Sequence, residues 1–250
     1  MTARRSKRAP SCIRPLLTAF SEALTETFAR ELVGLYVFGS AAFPAFVPDS
    51  GDIDFIAVTR RFPSKEHRER LARIHREMAG AFRHGALLDG FYIPLHKARR
   101  RRIPDRLVFA AHGRLGTGGR DASWALHREH LRAGACLVLR GTAPDRLFPP
   151  ATRREIAAAL RRERQYVSEV LRRHPAYAVL NLCRLEYSKR RGDVVLSKVQ
   201  AGRWALTHLK DWRPLVEAAL RTYCGRPDAG DARKLRRETP DFYRSLSGLD

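Results

Sequence analysis

The sequence predicts an α+β protein, with a small β-sheet flanked by helices in its N-terminal part and a bundle of helices behind it. Three observations predict this. Apolar runs of strand length alternate with helical stripes as far as Leu139. Gly141, Pro144, Pro149 and Pro150 then punctuate the chain. From Thr152 onward the pattern is helical nearly throughout. The division is set after residue 148, giving domains over 1–148 and 149–250, and the chain of 250 residues, 44% hydrophobic, is long enough to bury a full core.

Leu16, Leu17, Phe20, Leu24 and Phe28 recur at helical spacing and predict a first amphipathic helix over 14–31. Residues 33–38, Val-Gly-Leu-Tyr-Val-Phe, read as a buried strand entering a tight turn at Gly39-Ser40. Ser40-Ala41-Ala42 can open a short helix, whose unsatisfied N–H groups attract phosphate. In the strand over 52–58, alternation sets Asp52 and Asp54 on one face and Ile53 and Phe55 on the other. Pro63-Ser64 starts a second helix with Glu66 close behind and Leu71, Ile74, Met78 and Phe82 as its buried stripe. That helix returns the chain for a third strand, Ala86 to Ile93, closed by Pro94.

Between 95 and 134 the glycines at 113, 116, 118 and 119 suggest a mobile loop able to close over substrate. His112, His127 and His130 lack a cysteine or carboxylate partner in sequence and read as surface residues. Residues 135–139, Ala-Cys-Leu-Val-Leu, read as a last strand. Thr152 and Glu155 then form a capping-box pattern for a long helix carrying Ile156, Leu160, Tyr166, Val167, Val170 and Leu171, broken by Pro175. A second helix runs through Leu180 to Tyr187 and stops near Gly192, Ser197 caps a third with Lys198, Ala201 and Trp204, and a fourth crosses Leu215 to Tyr223. Short links favour antiparallel packing.

Two carboxylates on one strand face repel each other, and a hard cation such as Mg²⁺, which takes oxygen ligands and keeps substrate phosphates in its shell, relieves that repulsion. An isolated Asp-x-Asp is more often a strand edge or Asx-turn with solvated carboxylates. The Gly39-Ser40 turn upstream of Asp52-Ile53-Asp54 favours the metal site.

Gly39-Ser40 and Asp52-x-Asp54 resemble the Gly-Ser…Asp-x-Asp signature of the polymerase-β-like nucleotidyltransferase superfamily. Over roughly residues 33–225 the chain is most similar to the aminoglycoside adenylyltransferases that modify streptomycin and spectinomycin. The resemblance implies an N-terminal nucleotidyltransferase domain with a small mixed β-sheet and a C-terminal α-helical bundle. It implies that Asp52 and Asp54 bind Mg²⁺, that Gly39 and Ser40 hold nucleotide phosphates, and that ATP is the co-substrate. A third carboxylate, a glutamate in the adenylyltransferases, serves as general base; the matching position is Asp89 in Leu87-Leu88-Asp89-Gly90, one methylene shorter. Arg184 and Lys198 lie in segments similar to those that reach the nucleotide triphosphate. Tyr223 either lines the same cleft or is a core aromatic. Where the family carries a tryptophan and acidic residues for a polycationic antibiotic, this chain has Arg172-Arg173-His174-Pro175; Glu163, Glu169 and Glu186 are the acidic residues able to compensate.

The implied reaction is transfer of AMP from ATP to a hydroxyl of a small molecule such as an aminoglycoside, with release of pyrophosphate. The net charge of +22 admits an alternative, a nucleotidyltransferase acting on RNA or protein, and a noncatalytic nucleotide-binding relative is a third reading. The basic residues are mostly Arg, with seven Lys, and spread along the whole chain, so charge steers without choosing the ligand. The dense run Lys97 to Arg102 reads as a solvated face. No apolar run approaches the ~20 residues that span a bilayer. Thr2 to Arg8 is basic with no apolar segment or cleavage site behind it, so the expected location is the cytoplasm, with Cys12, Cys136, Cys183 and Cys224 as free thiols.

Overall fold

The computed structural model of the chain describes residues 9–43, 46–47 and 51–246. The basic stretch Thr2 to Arg8, read above for export, lies outside them. The chain divides into two units between Thr152 and Arg153, where the sequence reading set the break after residue 148.

In the first unit, helix α1 (Arg14–Phe28) buries Leu16, Leu17, Phe20, Leu24 and Phe28, the stripe the spacing predicts. Strand β1 (Leu32–Val37) ends at Phe38, and Gly39–Ala42 forms a single 3₁₀ turn rather than the start of an α-helix. Strand β2 (Ile53–Thr59) leads to helix α2 (Lys65–Ala81). The Ser64 hydroxyl accepts the His67 N–H at 3.1 Å, and the Ser64 N–H donates back to the His67 ring at 3.4 Å. His67, not Glu66, therefore closes this capping box. Strand β3 (Leu88–Pro94) is followed by α3 (Leu95–Ala98), β4 (Leu107–Ala111), β5 (Arg114–Gly119), α4 (Trp124–Arg132), β6 (Leu137–Gly141) and α5 (Pro144–Leu147).

The strands form one mixed sheet in the order β5-β4-β3-β2-β1-β6. Among the described residues only β2 and β3 pair in parallel, because α2 carries the chain back to the same end of the sheet before β3 begins. Alternation sorts the core. Leu35, Val37, Ile53, Phe55, Ala57, Leu88 and Tyr92 pack with the stripes of α1 and α2. Tyr36, Phe38, Ile56, Val58, Phe91 and Ile93 pack with Trp124 and Leu131 of α4 and with Phe148.

The glycine-rich segment expected as a mobile loop is instead strand β5 of a hairpin. His112 and Gly113 turn the chain with φ of 50° and 71°, the two positive values that a tight two-residue hairpin turn requires. The ring of Phe109 lies where a Cβ on Gly116 or Gly119 would sit, so those glycines admit the aromatic ring rather than loosen the chain.

In the second unit, helices α6 (Arg153–Val170), α7 (Pro175–Arg191), α8 (Lys198–His208), α9 (Arg213–Tyr223) and α10 (Asp231–Ser245) surround a separate core. Pro175 opens α7 in its first turn and Gly192, at φ 67°, closes it. Ala178, Val179, Leu180, Leu182 and Cys183 bury α7 on most of its circumference. A Cβ on Gly202 would come within 2.7 Å of Leu220 and 2.9 Å of Leu180, so the glycine lets α8 approach both neighbours closely. Helix α10 was not anticipated.

Candidate active site

Asp54 sits inside β2 and Asp89 inside β3, and the parallel register sets the two residues directly opposite each other. Both stand two residues before apolar positions of one sheet face, Ile56 and Val58 on β2 and Phe91 and Ile93 on β3. The period of two therefore turns both carboxylates toward that face. Both are half-buried, while Asp52, at the entrance to β2, is exposed.

Gly39 meets Asp54 at the other end of this arrangement. Its φ is +63°, and a Cβ there would run into the Asp54 Oδ2 atom. The Phe38 N–H donates to the Asp54 carbonyl at 2.9 Å, and the Ser40 hydroxyl donates to the Asp52 carbonyl at 3.4 Å. The glycine-serine turn and the Asp-x-Asp segment, distant in sequence, are thus joined through their backbones.

Burial raises the Asp89 carboxyl above the ordinary carboxylate range; the charge of Asp52 adds to this and His112 opposes it. Asp52 and Asp89 are therefore electrostatic neighbours, and Asp54 stands opposite Asp89 in the strand register. This donor set, hard carboxylate oxygens with mutual repulsion, fits Mg²⁺, which commonly takes one or two protein carboxylates and completes its shell with water and phosphate. Among the described residues no three His, Cys, Asp or Glu side chains form a closed metal cage.

In the second unit, Arg184 on α7 and Lys198 at the start of α8 are both half-buried neighbours of Tyr177. The Lys198 ammonium lies 4.4 Å from the centre of the Tyr177 ring and 5.7 Å from that of Tyr223, cation–π distances that use the electron-rich ring faces. Arg184 donates to the Asn181 side-chain oxygen at 3.3 Å. Burial and then the charge of Glu163 push the Tyr177 phenol up to about 12, while Arg184 opposes them. Of the three acidic residues named for an antibiotic, Glu163 borders this group. Glu186 is buried and accepts from Arg190 at 2.5 Å, and Glu169 is exposed on α6.

The sequence reading took three histidines for surface residues, and the structure gives each a setting. His112 occupies the β4–β5 turn beside Asp89. The His127 Nδ1 atom lies 2.9 Å from Asp121 Oδ2, and its ring lies 4.8 Å from that of Phe38. His130 is buried, its ring 6.2 Å from that of Phe43. The spacing of His127 and His130, three apart on one helix face, was the available signal; it is legible only once α4 is recognised.

Residues 146–246 match the family model described as the aminoglycoside adenylyltransferase C-terminal domain. A search of curated proteins finds no match. Among solved structures the chain is similar to the spectinomycin adenyltransferase AAD(9) from Enterococcus faecialis, crystallised with ATP and spectinomycin, at a TM-score of 0.76 and 14% identity. The likeness covers 93% of this chain and 98% of that one, and it is a likeness of fold. The C-terminal unit thus carries a likeness to the aminoglycoside adenylyltransferase C-terminal domain, and the fold of the chain agrees with that of a solved adenyltransferase.

Proposed function

We propose that the protein transfers AMP from ATP to a hydroxyl of a small molecule, with release of pyrophosphate. The observation that carries this reading is the register of Asp54 and Asp89 on one sheet face, with Gly39 against the Asp54 carboxylate. Asp52 and Asp54 hold magnesium, which supplies charge neutralisation and alignment of the phosphates when bound. Gly39 and Ser40 contact the distal phosphates. Asp89 takes or steers the proton of the attacking hydroxyl, a role suited to a carboxyl whose basicity burial and Asp52 have increased. Arg184 and Lys198 bind the triphosphate, the Arg by its planar fork and the Lys as a compact charge that Tyr177 and Tyr223 hold.

An aminoglycoside such as spectinomycin or streptomycin is the proposed acceptor. The AAD(9) structure with spectinomycin supports the class, and Glu163 beside Tyr177 supplies an acidic and aromatic lining for an amine-bearing ring. The net charge of +22 favours RNA as the second acceptor to be tested.

The test incubates the protein with α-labelled ATP, Mg²⁺ and a panel of spectinomycin, streptomycin, other hydroxylated antibiotics and RNA. Label is expected on an antibiotic, and Asp54→Asn should reduce transfer by about 100-fold or more while the melting temperature holds, since charge stabilisation at the transferred group is lost. Label on RNA alone would overturn the acceptor. Undiminished transfer by Asp54→Asn would overturn the catalytic assignment.

A further inference from the structure

Helix α7 is apolar around most of its circumference, and one stripe of it is polar. Tyr177, Asn181, Arg184 and Ser188 follow one another at spacings of four, three and four, so they share one helix face. Asn181 is 3% exposed, while Tyr177 and Arg184 on either side of it are half-buried. A leucine would fill such a position without any polar group to satisfy. What the amide adds is an acceptor: its oxygen takes a hydrogen bond from Arg184 Nη1 at 3.3 Å.

The way Arg184 is held differs from the way this unit holds its other arginines. On the same helix, Arg190 is paired with Glu186. Arg213 is paired with Glu217, and Arg221 with Asp228 and Asp231. Among the described residues Arg184 has no carboxylate partner, and its hydrogen bond is the one to Asn181. A carboxylate orients a guanidinium and also neutralises it. An amide oxygen orients it and leaves the charge whole. The guanidinium has five N–H donors, so one bond to Asn181 fixes its direction and leaves four for an anion.

We propose that Asn181 is the positioning residue of Arg184, holding the guanidinium with a neutral acceptor so that its full charge is kept for the nucleotide triphosphate. This rests on the reading of Arg184 as a triphosphate-binding residue given above. The property required at 181 is that of an amide, since a hydrocarbon gives no orientation and a carboxylate cancels the charge.

Binding of ATP and of AMP to the full chain, measured by calorimetry in the presence of Mg²⁺, tests this with Arg184→Ala, Asn181→Leu, Asn181→Asp and the double variant Arg184→Ala with Asn181→Leu. Loss of a charge-assisted contact predicts that Arg184→Ala weakens ATP binding about ten-fold or more, with AMP binding unchanged. Asn181→Leu should weaken ATP binding about five-fold, again sparing AMP, because the orienting hydrogen bond is gone. Asn181→Asp should weaken it at least as much, because the new carboxylate takes the guanidinium for itself. In the Arg184→Ala background, Asn181→Leu should add less than about two-fold, since the residue acts through that side chain alone. The full effect of Asn181→Leu in that background would mark an ordinary core residue and overturn the proposal. So would ATP binding by Asn181→Leu or by Asn181→Asp equal to that of the wild type. Leucine brings no polar group into the core, so the cycle with Arg184→Ala decides the matter even where Asn181→Asp does not fold. Undiminished ATP binding by Arg184→Ala would instead bring down the reading of Arg184 on which the proposal stands.

Discussion

Gly39 carries two requirements at once, a positive φ and room for the Asp54 carboxylate, and no other residue meets both. A side chain in this left-handed region costs roughly 1–2 kcal/mol, and its Cβ would also push Asp54 out of place. Gly39→Ala should therefore lower stability by that amount in a denaturant titration and reduce transfer by about 100-fold, the scale at which misplacement of a reacting group acts. His75 makes a second residue-level prediction. It lies in the core between Phe20, Phe55 and Tyr92, with Nε2 and the Tyr92 hydroxyl 2.8 Å apart, and burial lowers its pKa from 6.5 to about 4. The unfolded chain then takes up this proton first as pH falls. The stability contributed by the neutral ring is complete above pH 6.5 and is lost progressively as pH drops toward 4, to a limit of about 3 kcal/mol. Chemical denaturation at pH 7 and pH 5 should show this loss in the wild type and a smaller one in His75→Gln.

Helix α8 shows how an element is set by its ends. The Ser197 hydroxyl accepts the Gln200 N–H at 3.1 Å, and the Gln200 side chain accepts the Ser197 N–H at 2.8 Å. Ser197→Ala should cost about 1 kcal/mol and speed hydrogen exchange in the first turn of α8, where Lys198 sits. This cap was legible because its chemistry is local: a serine, then a glutamine three residues on. So were the strands bearing Asp54 and Asp89, each a short, nearly continuous apolar run buried on both faces. What escaped the sequence had its cause elsewhere in the chain. Strand β5, Arg-Leu-Gly-Thr-Gly-Gly, has no strand preference of its own and is extended because β4 pairs with it and Phe109 covers its glycines. Helix α4 buries Arg128 and His130 among Trp124, Leu126 and Leu131, so its inward face does not read as apolar. Arg128 donates there to the Pro149 carbonyl at 3.1 Å, and its guanidinium lies 5.8 Å from the centre of the Trp124 ring. Helix α10 contains Pro240 and a narrow buried stripe of Leu235, Thr239 and Phe242. Asp121 and His127 were missed for the same reason as α4, since their pairing depends on a helix that the sequence does not announce.

The molecule as a whole carries a formal charge of +22, and ATP, the proposed co-substrate, is a polyanion. Charge of that size speeds encounter, and salt screens it beyond about 8 Å at physiological ionic strength. Raising salt should slow ATP association in stopped-flow measurements far more than it speeds dissociation, because screening acts on long-range attraction more than on direct hydrogen bonds. Equal effects on both rates would show that the charge plays no part in encounter. The two units divide the remaining work: the sheet keeps its cores on either face, and the helices around α7 keep their own. Within the sheet, β2 and β3 are the innermost pair, each side shielded by two further strands. Loss of order that begins at the rims, at glycine-rich β5 or at β6, must travel inward through another strand before it reaches Asp54 or Asp89. The proposed site is thereby insulated from the margins, where sequence change and thermal fraying do least harm.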